Sequence, residues 1–156
     1  TGTFLRAYAA AARGVEAAGD RTIPGLRDRV AILEAVAAAH AKKYDQAIAA
    51  LTPPAAAEAT RAKPVGPPVS KPTHELFGEI LLSAGKPKEA VAQFKIALER
   101  HPGRALSLLG LARAEAVVGN KPEARIAYGR LLGMWKNADA DLPELAEVKA
   151  FVQANG

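Results

Sequence analysis

The chain contains no cysteine. No disulfide can staple it, and cysteine-ligated zinc, iron–sulfur sites and cysteine nucleophiles are excluded with it. Aromatic residues are scarce, at 5%. That disfavours a β-rich sandwich or barrel, whose strands draw on aromatic and β-branched side chains. Long apolar runs are missing too. No stretch of about 18 apolar residues is free of charge, so the sequence offers no membrane span.

What the chain has is alanine, 36 residues in 156. Alanine is the strongest helix former, so the composition points to an all-α fold. At 49% hydrophobic and 24% charged, it is that of a globular chain with a sizeable core. The net charge of +5 is spread out. Residues 1–52 hold seven Lys/Arg against five Asp/Glu, residues 53–73 three against one, and residues 74–156 eleven against ten. There is no basic run and no aromatic-interleaved basic stripe, which reads as a solvated surface and not a nucleic-acid interface. The chain opens Thr1-Gly2-Thr3-Phe4 without a methionine or a leader pattern. It is expected to be a processed product or part of a larger protein, soluble, in the cytoplasm or the periplasm.

Apolar residues recur at helical spacing almost throughout. A first helix is predicted from about Thr3 to Ala18, with a turn at Thr22-Ile23-Pro24-Gly25. A second runs from Leu26 to Ala41, and a third from Tyr44 to Leu51. Pro53-Pro54 should stop the third, because proline has no N–H and crowds the preceding turn. Six prolines fall within residues 53–72, so this stretch is read as an extended, polyproline-like connection with a short helical piece at most. Its part around Val65 to Val69 is expected to lie against the helices. Phe77, Ile80, Leu81 and Ala84 mark a fourth helix, which Gly85 ends. Pro87 opens a fifth, in the first helical turn where proline is tolerated. A sixth spans about Arg104 to Val118, and a seventh follows Gly119 and runs to about Trp135. A terminal helix ends near Ala154. Asn120 with Glu123, and Asp141 with Glu144, fit capping boxes for these last two.

A shift of 34 residues superimposes two segments. Gly85 falls on Gly119, Glu89-Ala90 on Glu123-Ala124, Phe94 on Tyr128 and Leu98 on Leu132. In Lys71–Arg104, Phe77-Gly78 forms a large–small pair. Ala90, Phe94 and Ala97 form a small–aromatic–small series, and Pro102 closes the segment. Leu111-Ala112, Ala124 and Tyr128 repeat much of this in Ala105–Ala138. Asp28–Arg61 is a weaker copy, through Ala35, Ala47 and Leu51. The pattern resembles the tetratricopeptide repeat (TPR), a 34-residue helix-turn-helix unit. The layout, with His74-Glu-Leu-Phe-Gly78 after a proline-rich connection, is similar to the C-terminal part of certain bacterial repeat proteins.

The resemblance implies a right-handed α-solenoid of antiparallel hairpins, about seven to eight helices, in one domain overall. Residues 1–52 would carry the N-terminal helices with a degenerate repeat. Residues 53–72 would be the connection, packed on or near the array. Residues 73–138 would form two TPR-like hairpins, and residues 139–156 a capping helix. It further implies a concave groove for a peptide or a partner helix, lined by Glu75, Glu79, Leu82 and Ser83 and by Leu106, Leu109, Arg113, Ala116 and Val117. That groove is acidic at one end, with Arg113 beside an apolar floor.

The residues themselves carry little chemistry. His40, His74 and His101 are not paired at metal-ligand spacing. No phosphate loop, nucleophile elbow or His-Glu-x-x-His occurs. Glu75 and Glu79, four apart, read as an exposed or groove-facing helix surface and not as an acid–base pair. Ser70, Ser83 and Ser107 have no visible base, and Trp135 reads as packing under the terminal helix. The chain is therefore expected to be no enzyme, to hold no metal or cofactor, and to bind a protein or peptide. The alternative is a purely structural or dimerisation domain whose groove the proline-rich segment fills.

Overall fold

The computed structural model describes residues 10, 13–14, 25–63, 65, 71–139 and 142–155. Those residues form seven helices and no strand. They are α1 (Leu26–His40), α2 (Tyr44–Thr60), α3 (Thr73–Ser83), α4 (Pro87–Arg100), α5 (Ala105–Val118), α6 (Lys121–Met134) and α7 (Pro143–Ala154). The first predicted helix lies outside the described residues, apart from the helical Ala10, Arg13 and Gly14. So do the turn at 22–24 and most of the proline-rich stretch; Val65, which is described, is fully exposed. The chain divides into two compact units, Thr1–Lys63 and Pro64–Gly156.

In the first unit α1 packs against α2. Val30, Ala35 and Ala37 of α1 and Ala47, Leu51, Pro54 and Ala55 of α2 are buried. Asp28 and Arg61 join the start of α1 to the residue after α2 at 2.6 Å. In the second unit neighbouring helices pack in turn: α3 on α4, α4 on α5, α5 on α6 and α6 on α7, with α3 also touching α5. Its core runs from Phe77, Leu81 and Phe94 through Leu108, Ala112, Tyr128 and Leu131 to Val148. Burying each large apolar side chain stabilises the fold by about 1.5–3 kcal/mol.

Three hairpins close with the same turn. Lys42, Gly85 and Gly119 all take left-handed backbone angles, at φ 57, 73 and 89°. One residue on, the N–H of Lys43, Lys86 and Asn120 donates to the carbonyl of Ala38, Leu81 and Glu115, each at 2.9 Å. This is the bond that ends a helix in a left-handed cap. Aligned on the turn, Ala35, Gly78 and Ala112 share one position, and Ala47, Ala90 and Ala124 another. Leu51, Phe94 and Tyr128 share a third, and Pro54, Ala97 and Leu131 a fourth. All twelve are buried.

That alignment explains the clearest departure from expectation. Pro53 and Pro54 do not stop the third predicted helix; α2 continues through both to Thr60. Pro54 occupies the buried position held by Ala97 and Leu131, and is itself buried. The two missing donors leave the carbonyls of Ala49 and Ala50 without their usual partners. These residues are exposed and half-buried, where water can reach. Thr52, also exposed, donates its hydroxyl to the Ile48 carbonyl at 2.9 Å.

The capping box expected at Asn120 does not form. Asn120 is the residue before α6, but no side chain caps that helix. Its amide nitrogen donates instead to Glu115 Oε2 at 3.0 Å. Glu115 is buried, and a buried carboxylate needs a donor more than an exposed helix end does. α7 starts at Pro143 with Leu142 before it, one residue late for a box built on Asp141, which lies outside the described residues.

Candidate functional site

The groove residues expected from the sequence sit on α3 and α5, but they are not one open surface. Glu75 is fully buried, against the expectation of an exposed or groove-facing carboxylate. Arg104 Nε and Nη2 donate to its two oxygens at 2.6 and 2.8 Å, and Ser107 Oγ donates at 2.5 Å. Burial pushes the carboxyl up, but the bonds from Arg104 and Ser107 outweigh it and hold Glu75 below the ordinary value. The bond to Glu75 in turn raises Arg104. The carboxylate expected at the acidic end of a groove is therefore part of an internally neutralised ion pair that locks α3 to the start of α5.

Glu79 is half-exposed and pairs with Lys71 at 2.7 Å. Leu82 is half-buried; Ser83 is exposed and donates to the Glu79 carbonyl at 2.9 Å. On α5, Leu109 is 3% exposed and belongs to the core, so it cannot contact a ligand. Leu106 and Val117 are open, at 47% and 66%. Ala116 is half-buried.

Arg113 lies between these two apolar residues and is not free. Its Nε and Nη2 reach Glu147 of α7 at 2.9 and 2.5 Å, and Tyr128 of α6 donates its hydroxyl to the same carboxylate at 2.7 Å. Arg113 and then Tyr128 hold Glu147 below the ordinary carboxyl range. The bond to Glu147 raises Arg113, and burial followed by that bond raises Tyr128. Three helices thus meet at one carboxylate. The Tyr128 ring also lies tilted against Phe151, centroids 4.6 Å apart and planes at 36°. Trp135 is partly buried against the cluster containing Tyr128, Leu131 and Val148, as packing under the terminal helix requires.

Both carboxyls are shifted toward the ionised form and the Tyr128 phenol toward the protonated one. His74 is buried, with Nδ1 2.7 Å from Gln93 Oε1. His40 is exposed at the end of α1, and His101 is half-buried after α4.

Sequence reasoning missed Arg104, Ser107, Tyr128 and Glu147 as polar partners. Arg104 and Ser107 are 29 and 32 residues from Glu75, with no local pattern tying them to it. Glu147 carried a usable signal. It lies 34 residues after Arg113, the offset that superimposes the hairpins, and Arg113 lies 34 after Glu79. No described helix is long and apolar enough to cross a membrane. No protein-family model matches this chain, and no curated protein matches it.

Proposed function

We propose that the hairpins are TPR-like repeats and that the chain is a protein-interaction module, binding a peptide or helical segment along the open side of α3 and α5. One observation supports this above the others. Leu106 and Val117 stand exposed on α5 with Arg113 between them. Their spacings of seven and eleven residues put all three on one helix face. The apolar pair suits a segment with apolar side chains, and Arg113, although paired with Glu147, is 42% exposed and within reach of an acidic one. Glu79 and Ser83 extend the surface on α3, whereas Glu75 and Leu109 are spent inside the fold.

The test is selection from a displayed peptide library on the immobilised chain, repeated with the double variant Leu106→Asp, Val117→Asp. Both positions are exposed, so the variant should keep its helical circular dichroism. Enriched peptides should bind it about tenfold or more weakly, the loss expected for a charge in an apolar contact. Equal binding would remove the α5 face from consideration.

A further inference from the structure

α7 differs from the other helices in how it is held. Its main packing partner is α6, whereas each of α3 to α6 belongs to a hairpin. It has 12 residues, a length at which an isolated helix is marginal in water. What fixes it is an apolar edge and one polar contact. Leu145 and Val148 are buried, and Phe151 and Val152 pack partly against the core cluster. Glu147 enters the fork made by Arg113 and Tyr128. Arg113 is presented by the same face as Leu106 and Val117. Glu144 adds a second negative charge near it.

We propose that α7 is a self-ligand: Arg113 and Tyr128 form a carboxylate-binding site for an acidic amphipathic helix, and the chain's own α7 occupies it until such a helix displaces it. This rests on the peptide-binding reading above and adds its regulation. The partner chemistry is read from the present occupant: a helix with an acidic side chain whose next residue is apolar and whose fourth is aromatic, as in Glu147, Val148 and Phe151. Two hydrogen bonds from a guanidinium and one from a phenol, converging on one carboxylate from two helices, are a recognition geometry that a neutral side chain, with one acceptor oxygen and no charge, satisfies more weakly than an acid. A partially exposed pair is also one that a competitor can reach. The side chains of Arg113 and Glu147 are 42% and 34% exposed.

The probe is a labelled synthetic peptide with the sequence of residues 142–155, added to the full chain. In the unaltered protein the tethered α7 competes at millimolar effective concentration and keeps the peptide out. Glu147→Lys in the full chain sets a cation against Arg113 and should loosen its own α7. It should then bind the peptide about tenfold or more tightly than the unaltered chain does, by fluorescence anisotropy. Hydrogen exchange should quicken over residues 143–154 while residues 73–134 stay protected. A peptide carrying lysine at the position of Glu147 should not bind. Adding Arg113→Glu to Glu147→Lys restores opposite charges and should return both readouts toward the unaltered chain. Should Glu147→Lys lose its helical spectrum, Glu147→Gln serves for the same two readouts. Equal peptide binding by the altered and unaltered chains, or unchanged exchange over α7, would overturn the assignment. A library selection that enriches nothing would sink the peptide-binding reading, yet would leave peptide exchange at α7 measurable.

Discussion

At the scale of single residues, two glycines of the second unit lie close against one ring. A Cβ added to Gly78 would stand 2.8 Å from the Phe94 ring, and one added to Gly110 would come closer still. Phe94 is fully buried, so its ring has nowhere to turn. Gly110→Ala gains about 0.5–1 kcal/mol of helix propensity. It loses more to overpacking, which typically costs about 1–3 kcal/mol. The variant should therefore unfold at lower urea concentration, and Phe94→Leu placed with it should recover part of the loss. Gly129 is the control: nothing lies within 4 Å of its added Cβ, so Gly129→Ala should be neutral or stabilising. Gly78 was legible, because a small residue after Phe77 marks close approach within a hairpin. Gly110 was not, because it meets Phe94 of the preceding hairpin, and a contact between hairpins leaves no trace in the pattern of one.

At the scale of elements, the sequence located six of the seven described helices to within a residue or two and cut one short. α2 was cut by applying a local rule, that proline breaks helices, where tertiary register decides. Leu51 and Pro54 had their counterparts in Phe94 and Ala97, so continuing the repeat past residue 52 would have kept the helix whole. The local cost is nonetheless real, about 3 kcal/mol for a proline in a helix interior. Pro53 is exposed and fills no packing position. Pro53→Ala should restore a donor to the Ala49 carbonyl and stabilise the first unit by about 1–3 kcal/mol, seen as a raised melting midpoint. A lowered midpoint would mean that Pro53 is needed for the path of α2.

At the scale of the whole molecule, Glu75 and Glu147 tie several helices together through carboxylates held below their ordinary value. The sign follows from which state takes the proton first. The unfolded chain protonates these groups near the ordinary value, and the folded chain only at lower pH. Their stabilisation is therefore full near neutrality and is lost as the solution is acidified below about pH 5. Acid also leaves 21 Lys/Arg with fewer counter-charges, which adds repulsion. The urea midpoint should fall steeply between about pH 5 and pH 3, and less steeply in Glu75→Gln. An acid limb of the same slope in both would remove Glu75 from this role. The Glu75–Arg104 pair could not be read from the sequence, since charge pairing between residues 29 apart follows from how helices stack; the Arg113–Glu147 pair was marked only by the 34-residue offset. Fold class and helix order were legible because they are written in periods of three to four residues; the burial of Glu75 was not.

The shared turn has a consequence for how such a chain can change length. It recurs at Lys42, Gly85 and Gly119, at intervals of 43 and 34 residues. Most of the difference falls between hairpins, where residues 61–72 join α2 to α3 while residues 101–104 suffice to join α4 to α5. Within each hairpin the crossing is fixed by one left-handed residue and one hydrogen bond. The hairpin is thus the unit that insertion, deletion or recombination can copy whole. The seams open to such editing lie after the second helix of each pair, whereas a residue added at Lys42, Gly85 or Gly119 would break the hydrogen bond that spans the turn.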